Sequence, residues 1–132
     1  MLGATADMKL TVMIVDDDAA TLEIARGLLE DEGHQVITQQ VPYGTVARIQ
    51  RDQPDVVLLD LSMPGIPGDE LATLVRQRLG NSTELIFYSG AKRDALARLT
   101  QQSGALGYIQ KTGNPADFVS SFRDLTASLP AA

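Results

Sequence analysis

Cysteine is absent from the 132 residues, which excludes disulfides and thiolate metal sites. Histidine occurs once, at His34, so a multi-histidine metal centre is excluded too. It lies in an apparent turn and reads as a surface residue. There is no basic excess: the net charge is −6, which argues against nucleic acid as a direct partner. No apolar run is long enough to span a membrane, and residues 1–8 lack the basic region that opens a signal peptide. Internal repeats and low-complexity tracts are missing as well. What remains is ordinary: 44% hydrophobic and 21% charged residues, enough for one domain with a usable core. The expectation is a cytoplasmic protein with a loose tail at residues 1–8 and a single domain over residues 9–129.

The chain is organised around residues 56–65, Val-Val-Leu-Leu-Asp-Leu-Ser-Met-Pro-Gly. Four uninterrupted apolar residues suit a strand buried on both faces, as in a parallel sheet. The run ends at Asp60, and the Pro-Gly pairs at 64–65 and 67–68 then break the backbone. The same alternation runs through the whole chain. Strands are expected at 10–15, 35–38, 55–60, 84–88 and 105–110. Between them, Leu22, Ala25, Leu28 and Leu29 mark a first helix with Asp18 available as N-cap, and 46–51 a short second one. Leu71, Leu74, Val75 and Leu79 mark a third, with Asp69 and Glu70 in its first turn. Residues 91–102 form a mostly polar fourth, whose apolar stripe is only Ala95, Leu96 and Leu99. Asn114 and Pro115 open the last helix, which carries Phe118, Val119, Phe122, Leu125 and Leu129. Five βα repeats imply a doubly wound parallel sheet with right-handed crossovers.

Polar residues gather at the strand ends. The first strand gives Asp16, Asp17 and Asp18, the third Asp60, the fourth Ser89 and the fifth Lys111. The second offers only Gln39 and Gln40. In a sheet of order 2-1-3-4-5 the second strand is an edge and the crevice opens between strands 1 and 3. The polar set falls on the crevice strands, which turn chemistry alone does not explain. Crowded carboxylates need a cation. An all-oxygen donor set suits Mg²⁺, with Mn²⁺ as the alternative. Asp60, central in the crevice, suits a nucleophile that takes a phosphoryl group. Lys111 and the Ser89 hydroxyl suit charge balance and hydrogen bonding to the phosphoryl oxygens. Asp18 reads as an N-cap rather than a ligand.

These residues resemble the receiver domain of two-component response regulators. The resemblance covers residues 9–129 and rests on Val-Asp-Asp at 15–17, the ten residues at 56–65, Tyr-Ser-Gly-Ala at 88–91 and Gly-Tyr-Ile-Gln-Lys at 107–111. It implies a flavodoxin-like (βα)5 fold, stand-alone or as an isolated receiver. It further implies phosphorylation of Asp60 by a histidine kinase or a histidine phosphotransfer protein. Asp16, Asp17 and Asp60 would bind the metal, with the backbone carbonyl of Ser62. Ser89 takes the place of the switch Ser/Thr, Tyr108 that of the switch aromatic, and Lys111 that of the family lysine. The implied output is a change of the helix 4–strand 5–helix 5 face toward a downstream protein or effector domain. On this reading the chain is a phosphoacceptor that assists its own phosphorylation and dephosphorylation, not an enzyme. Two positions depart from the pattern: Thr112 stands where proline is usual, and Gly90 where alanine is common. Thr112 implies a trans Lys111–Thr112 bond, because cis before a non-proline residue costs about 2.5–4 kcal/mol.

The alternatives are weaker. A pseudo-receiver, a fixed interaction module, would not need every acidic, hydroxyl and amine group present here. A phosphohydrolase of the haloacid dehalogenase type wants an acid two residues after its nucleophile, where this chain has Ser62. A flavin-binding protein wants a Ser/Thr/Gly-rich loop after strand 1, where this chain has Asp16-Asp17-Asp18.

Overall fold

A computed structural model describes residues 9–80 and 82–129; the tail expected at residues 1–8 lies outside the described residues. Five strands alternate with five helices. They are β1 (Thr11–Val15), α1 (Ala19–Asp31), β2 (Gln35–Gln39), α2 (Thr45–Asp52) and β3 (Val56–Leu59). Then follow α3 (Gly68–Leu79), β4 (Glu84–Ser89), α4 (Arg93–Ser103), β5 (Gly107–Gln110) and α5 (Pro115–Thr126). All strand pairs are parallel, in the order β2-β1-β3-β4-β5. The sheet is the flavodoxin-like one expected from the alternation.

The central strand explains why that alternation is so regular. Val56, Val57, Leu58 and Leu59 are all fully buried, and each contributes about 1.5–3 kcal/mol relative to exposure. Strand side chains alternate between faces, so the core is split in two. Val12, Ile14, Val56, Leu58, Ile86 and Ile109 face α1 and α5. Met13, Val15, Val57, Leu59, Leu85 and Phe87 face α2, α3 and α4.

Several boundaries differ from expectation for local reasons. The expected third strand begins at residue 55, but the Asp55 carboxylate accepts the Thr11 N–H at 2.8 Å, and the strand proper begins at Val56. The fifth strand begins two residues later than expected, because Gly104 ends α4 in the left-handed conformation and the chain must still turn. The fourth helix likewise begins at Arg93 rather than residue 91. Asp18 caps α1, accepting from the Thr21 N–H at 3.3 Å, and Asn114 caps α5. No cis peptide bond occurs among the described residues, so the Lys111–Thr112 bond is trans as expected.

Gly68 fixes the loop that follows β3. A Cβ there would lie 2.6 Å from the Leu61 Cα and 2.8 Å from the Asp60 carbonyl oxygen. The first turn of α3 therefore rests directly on the backbone of Asp60 and Leu61, which only glycine permits.

His34 corrects the sequence reading. It is half-buried, not a free surface side chain: its Nδ1 accepts the Leu10 N–H at 3.0 Å, and its ring meets the edge of Phe122 at 5.4 Å between centroids. The turn after α1 tucks it beneath α5. An Nδ1 that accepts a hydrogen bond belongs to the neutral tautomer protonated at Nε2. Burial lowers the pKa below the usual 6.5, and the charge of nearby Glu32 opposes this only in part. Glu32 is itself paired with Arg123 of α5. A group whose folded pKa is depressed gives stability that is complete above its unfolded pKa and is lost as pH falls through the folded one. Urea unfolding between pH 7.5 and 5 should therefore show the wild type losing stability relative to His34→Asn, which keeps an acceptor but does not titrate. A difference between the two that stays constant across this range would contradict the assignment.

Candidate functional site: an acidic pocket closed by a lysine

The site lies where β1 and β3 end. Asp16 follows β1, and its N–H donates to the Gln39 carbonyl at 3.1 Å. Asp60 follows β3, and its N–H donates to the Val15 carbonyl at 3.0 Å. The parallel ladder thus runs one residue past each strand and carries both aspartates into the core: Asp16 is 1% exposed and Asp60 4%. Asp17, the next residue on β1's side, is exposed. Carboxylate oxygens of Asp16, Asp17 and Asp60 come within 4.8 Å of one another. Asp18 stands apart with its carboxylate on Thr21, the N-cap role expected of it.

Local turns hold the two buried acids. The Asp18 N–H donates to Asp16 Oδ1 at 2.9 Å, and the Ser62 N–H donates to Asp60 Oδ1 at 3.2 Å. Charge balance comes from the far strand. Lys111, just beyond β5, places Nζ 2.7 Å from Asp16 Oδ2 and 3.7 Å from Asp60 Oδ1. It also lies over the Tyr88 ring, 5.2 Å from the centroid.

The titration behaviour follows from this packing. Burial pushes the Asp60 carboxyl above its ordinary range; Lys111 opposes the shift, and the neighbouring Asp16 adds to it. For Lys111, burial is the largest influence and favours the neutral amine. The hydrogen bond and charge of Asp16, with the charge of Asp60, outweigh it and leave the ammonium favoured. Burial also pushes the Tyr88 phenol up, so its ring stays neutral.

Ser89 and Tyr108 lie on the other side of the sheet. Ser89 is fully buried; its Oγ accepts the Ala91 N–H at 3.2 Å, and its carbonyl accepts the Lys111 N–H at 2.8 Å. Tyr108 packs partly buried against the core on the face that carries α2, α3 and α4. The pocket therefore unites Asp16, Asp17, Asp60 and Lys111 directly. Ser89 is joined to it through the backbone of Lys111, and Tyr108 stands one layer away.

Two residues of this neighbourhood fall within the motifs that carry the resemblance but have no role assigned from the sequence. Gln110 donates from Nε2 to the Ala91 carbonyl at 3.0 Å, tying β5 to the loop after β4. Tyr88 supports Lys111. For Tyr88, strand parity is the signal: it pairs with Ile109 across β4 and β5, so Lys111, two residues on, returns to the face of Tyr88.

What the pocket can do is limited by its donors. Its oxygens can hold a hard divalent cation. Asp16 and Asp60 are both buried and within reach of the ammonium, and of the two Asp60 ends the central strand, β3. Among the described residues no helix is long and apolar enough to cross a membrane.

Known proteins are similar to this chain in sequence and fold. The sequence profile of the response regulator receiver domain matches residues 12–123. The response regulator GacA of Pseudomonas aeruginosa is 32% identical over 120 residues, which cover 89% of this chain and 56% of GacA. The sensor histidine kinase AruS of the same organism is 27% identical over 92% of this chain and 12% of its own length. The chain thus spans only part of these curated relatives. A two-component response regulator of the LuxR family from Aurantimonas superposes with a TM-score of 0.80 at 27% identity, over 90% of this chain and 86% of that one. Sheet order, acidic pocket and profile agree, and the chain belongs to the response regulator receiver domain family.

Proposed function

We propose that residues 9–129 act as a phosphoacceptor switch in a two-component or phosphorelay system, with Asp60 as the residue phosphorylated. The observation that carries this reading is the convergence of Asp60, Asp16, Asp17 and Lys111 in one pocket, with Asp60 buried at the end of the central strand. A histidine kinase or a histidine phosphotransfer protein supplies the phosphoryl group. A carboxylate oxygen of Asp60 attacks phosphorus, the bond from phosphorus to the donor imidazole breaks, and the imidazole leaves, taking a proton from solvent. The product is an acyl phosphate on Asp60.

The donor set fits Mg²⁺, or Mn²⁺ in its place, on Asp16, Asp17 and Asp60, with the Ser62 carbonyl as a further ligand. Such an ion offsets the charge of the pocket and of the phosphoryl oxygens. Asp16 holds Lys111 by a short hydrogen bond, and Lys111 keeps its ammonium beside the attacking oxygen. The ammonium keeps Asp60 ionised against its burial and the charge of Asp16, and it meets the negative charge that arrives. A fixed interaction module is not favoured, since it would need none of these groups in register.

The output follows from sheet parity. Ser89 and Tyr108 lie on the α4 side of the sheet, and α4 buries only Leu96 fully. A phosphoryl oxygen on Asp60 draws the Ser89 hydroxyl, its loop shifts, and Tyr108 turns into the space vacated. This is a shift between populations rather than a new fold. The surface changed is α4, β5 and α5, and the exposed Lys92, Arg93 and Arg98 suit an acidic downstream protein or effector domain.

Mg²⁺ should raise the melting temperature: at a hundred times the dissociation constant, mass action adds about 2.7 kcal/mol. Asp17→Asn should lose most of that response, and an unchanged titration in this variant would remove Asp17 from the ligand set. Acetyl phosphate with Mg²⁺ should add one alkali-labile phosphoryl group, read by intact-mass spectrometry. Asp60→Asn should take none, and Lys111→Ala should be slower by about a hundredfold; persistent labelling of Asp60→Asn would exclude Asp60. Amide hydrogen exchange with and without beryllofluoride should change along α4 and β5 in the wild type but not in Ser89→Ala. Changes confined to residues 16–18 and 60 would rule out this route.

A further inference from the structure

The acidic pocket depends on a lysine that comes from the far side of the sheet, and the structure shows what lies under it. Val15 pairs with Leu59, Leu59 with Phe87, and Tyr88 with Ile109. One residue further along the same register, Asp16, Asp60 and Tyr88 stand side by side on the α1–α5 face. Lys111 joins that face two residues beyond Ile109. Lys111 lies just past the end of β5, and on this face Tyr88 of β4 is the strand residue nearest to it, next to Asp60 in the register. The ammonium ends 2.7 Å from Asp16 and 5.2 Å from the Tyr88 centroid, within the range of a cation–π contact.

The ring is well fixed. It packs on Phe118 at 5.0 Å between centroids, and Phe118 stacks with Phe122 at 6.4 Å. Both phenylalanines are buried in α5. The Lys111 side chain is still 26% exposed, and a flexible four-carbon stem loses that geometry easily unless something confines it. The carboxylates draw the ammonium, and the ring face lies against it.

From this geometry we infer that Tyr88 is a positioning residue for phosphoryl transfer: the negative face of its ring holds the Lys111 ammonium over Asp60. The inference rests on Asp60 being the phosphoacceptor. The ring acts through Lys111, touches no reacting atom, and needs no hydroxyl.

Three forms at position 88 separate ring from bulk: wild type, Tyr88→Phe, which keeps the ring face, and Tyr88→Leu, which keeps apolar volume against Phe118. Phosphorylation of Asp60 by acetyl phosphate at fixed Mg²⁺ should be equal in the first two. It should be roughly two- to fivefold slower in the third, the size of a partly exposed cation–π contact. Phenylalanines at position 88 bearing one, two and three fluorines keep the shape and weaken the ring face, so the rate should fall stepwise with each fluorine. This series also decides the matter if Tyr88→Leu does not fold. NMR provides a readout that needs no phosphorylation: the Lys111 ε-CH₂ protons should be shifted upfield by the ring in wild type and Tyr88→Phe. A flat fluorine series, a Tyr88→Leu rate equal to wild type, or Lys111 protons at their ordinary position in the wild type would overturn the inference. Absence of label on Asp60 in every form would instead overturn the phosphoacceptor reading and the catalytic role with it, while an upfield shift would still report the contact.

Discussion

Two carboxylates buried at the ends of adjacent strands repel each other, and a single ammonium from the opposite edge of the sheet holds them together. Asp16 and Asp60 sit side by side because β1 and β3 are neighbours in a parallel sheet. The fold thus creates the repulsion and, through Lys111 beyond β5, also supplies its partial cure. Three acids against one base leave a deficit of positive charge in a low-dielectric place. Burial raises the Asp60 carboxyl while Lys111 lowers it, so the pocket is held in tension between charge and neutrality. On the proposed reading, a divalent cation and a phosphoryl group would change that balance.

The alternation of strand side chains divides the labour. Charge handling lies on the face shared with α1 and α5, where Asp16, Asp60, Tyr88 and Lys111 follow the parity of Ile14, Leu58, Ile86 and Ile109. Ser89 and Tyr108 follow the parity of Phe87 and Leu85 and lie toward α4. The link between the faces is short: the Lys111 N–H on the Ser89 carbonyl, and Gln110 on the Ala91 carbonyl. A change at the pocket therefore meets the other face through the backbone of one residue pair rather than through the bulk of the core.

Much of this was legible in the residues themselves. The fully apolar run at 56–59 had to be a strand buried on both faces, and five such alternations leave few topologies. Asp16, Asp17, Asp60 and Lys111 were recognisable because each follows directly on an apolar strand, and Asp18 was recognisable as a cap by its place before a helix. His34 was misread because its burial comes from Phe122, nearly ninety positions along the chain, and no local pattern carries that contact. The start of β3 was placed one residue early because a side-chain acceptor, the Asp55 carboxylate, stands in for a strand partner. Tyr88 stood within a recognised motif, but its role could not be read from it. Its importance depends on register, which places it beside Lys111, and register belongs to the assembled sheet rather than to any segment.

The bond from Lys111 to Asp16 spans 95 positions of sequence, and it closes only when β5 has joined β4, β4 has joined β3, and β3 has joined β1. Every strand between the two residues must be seated first. Contacts of such long range form late in folding, since the entropy of closing the chain is spent before they give anything back. No nascent or partly unfolded form of this domain can therefore hold Asp60 beside its ammonium. If Asp60 is the phosphoacceptor proposed above, acceptance of a phosphoryl group is restricted to finished molecules, and topology itself acts as quality control on the signal.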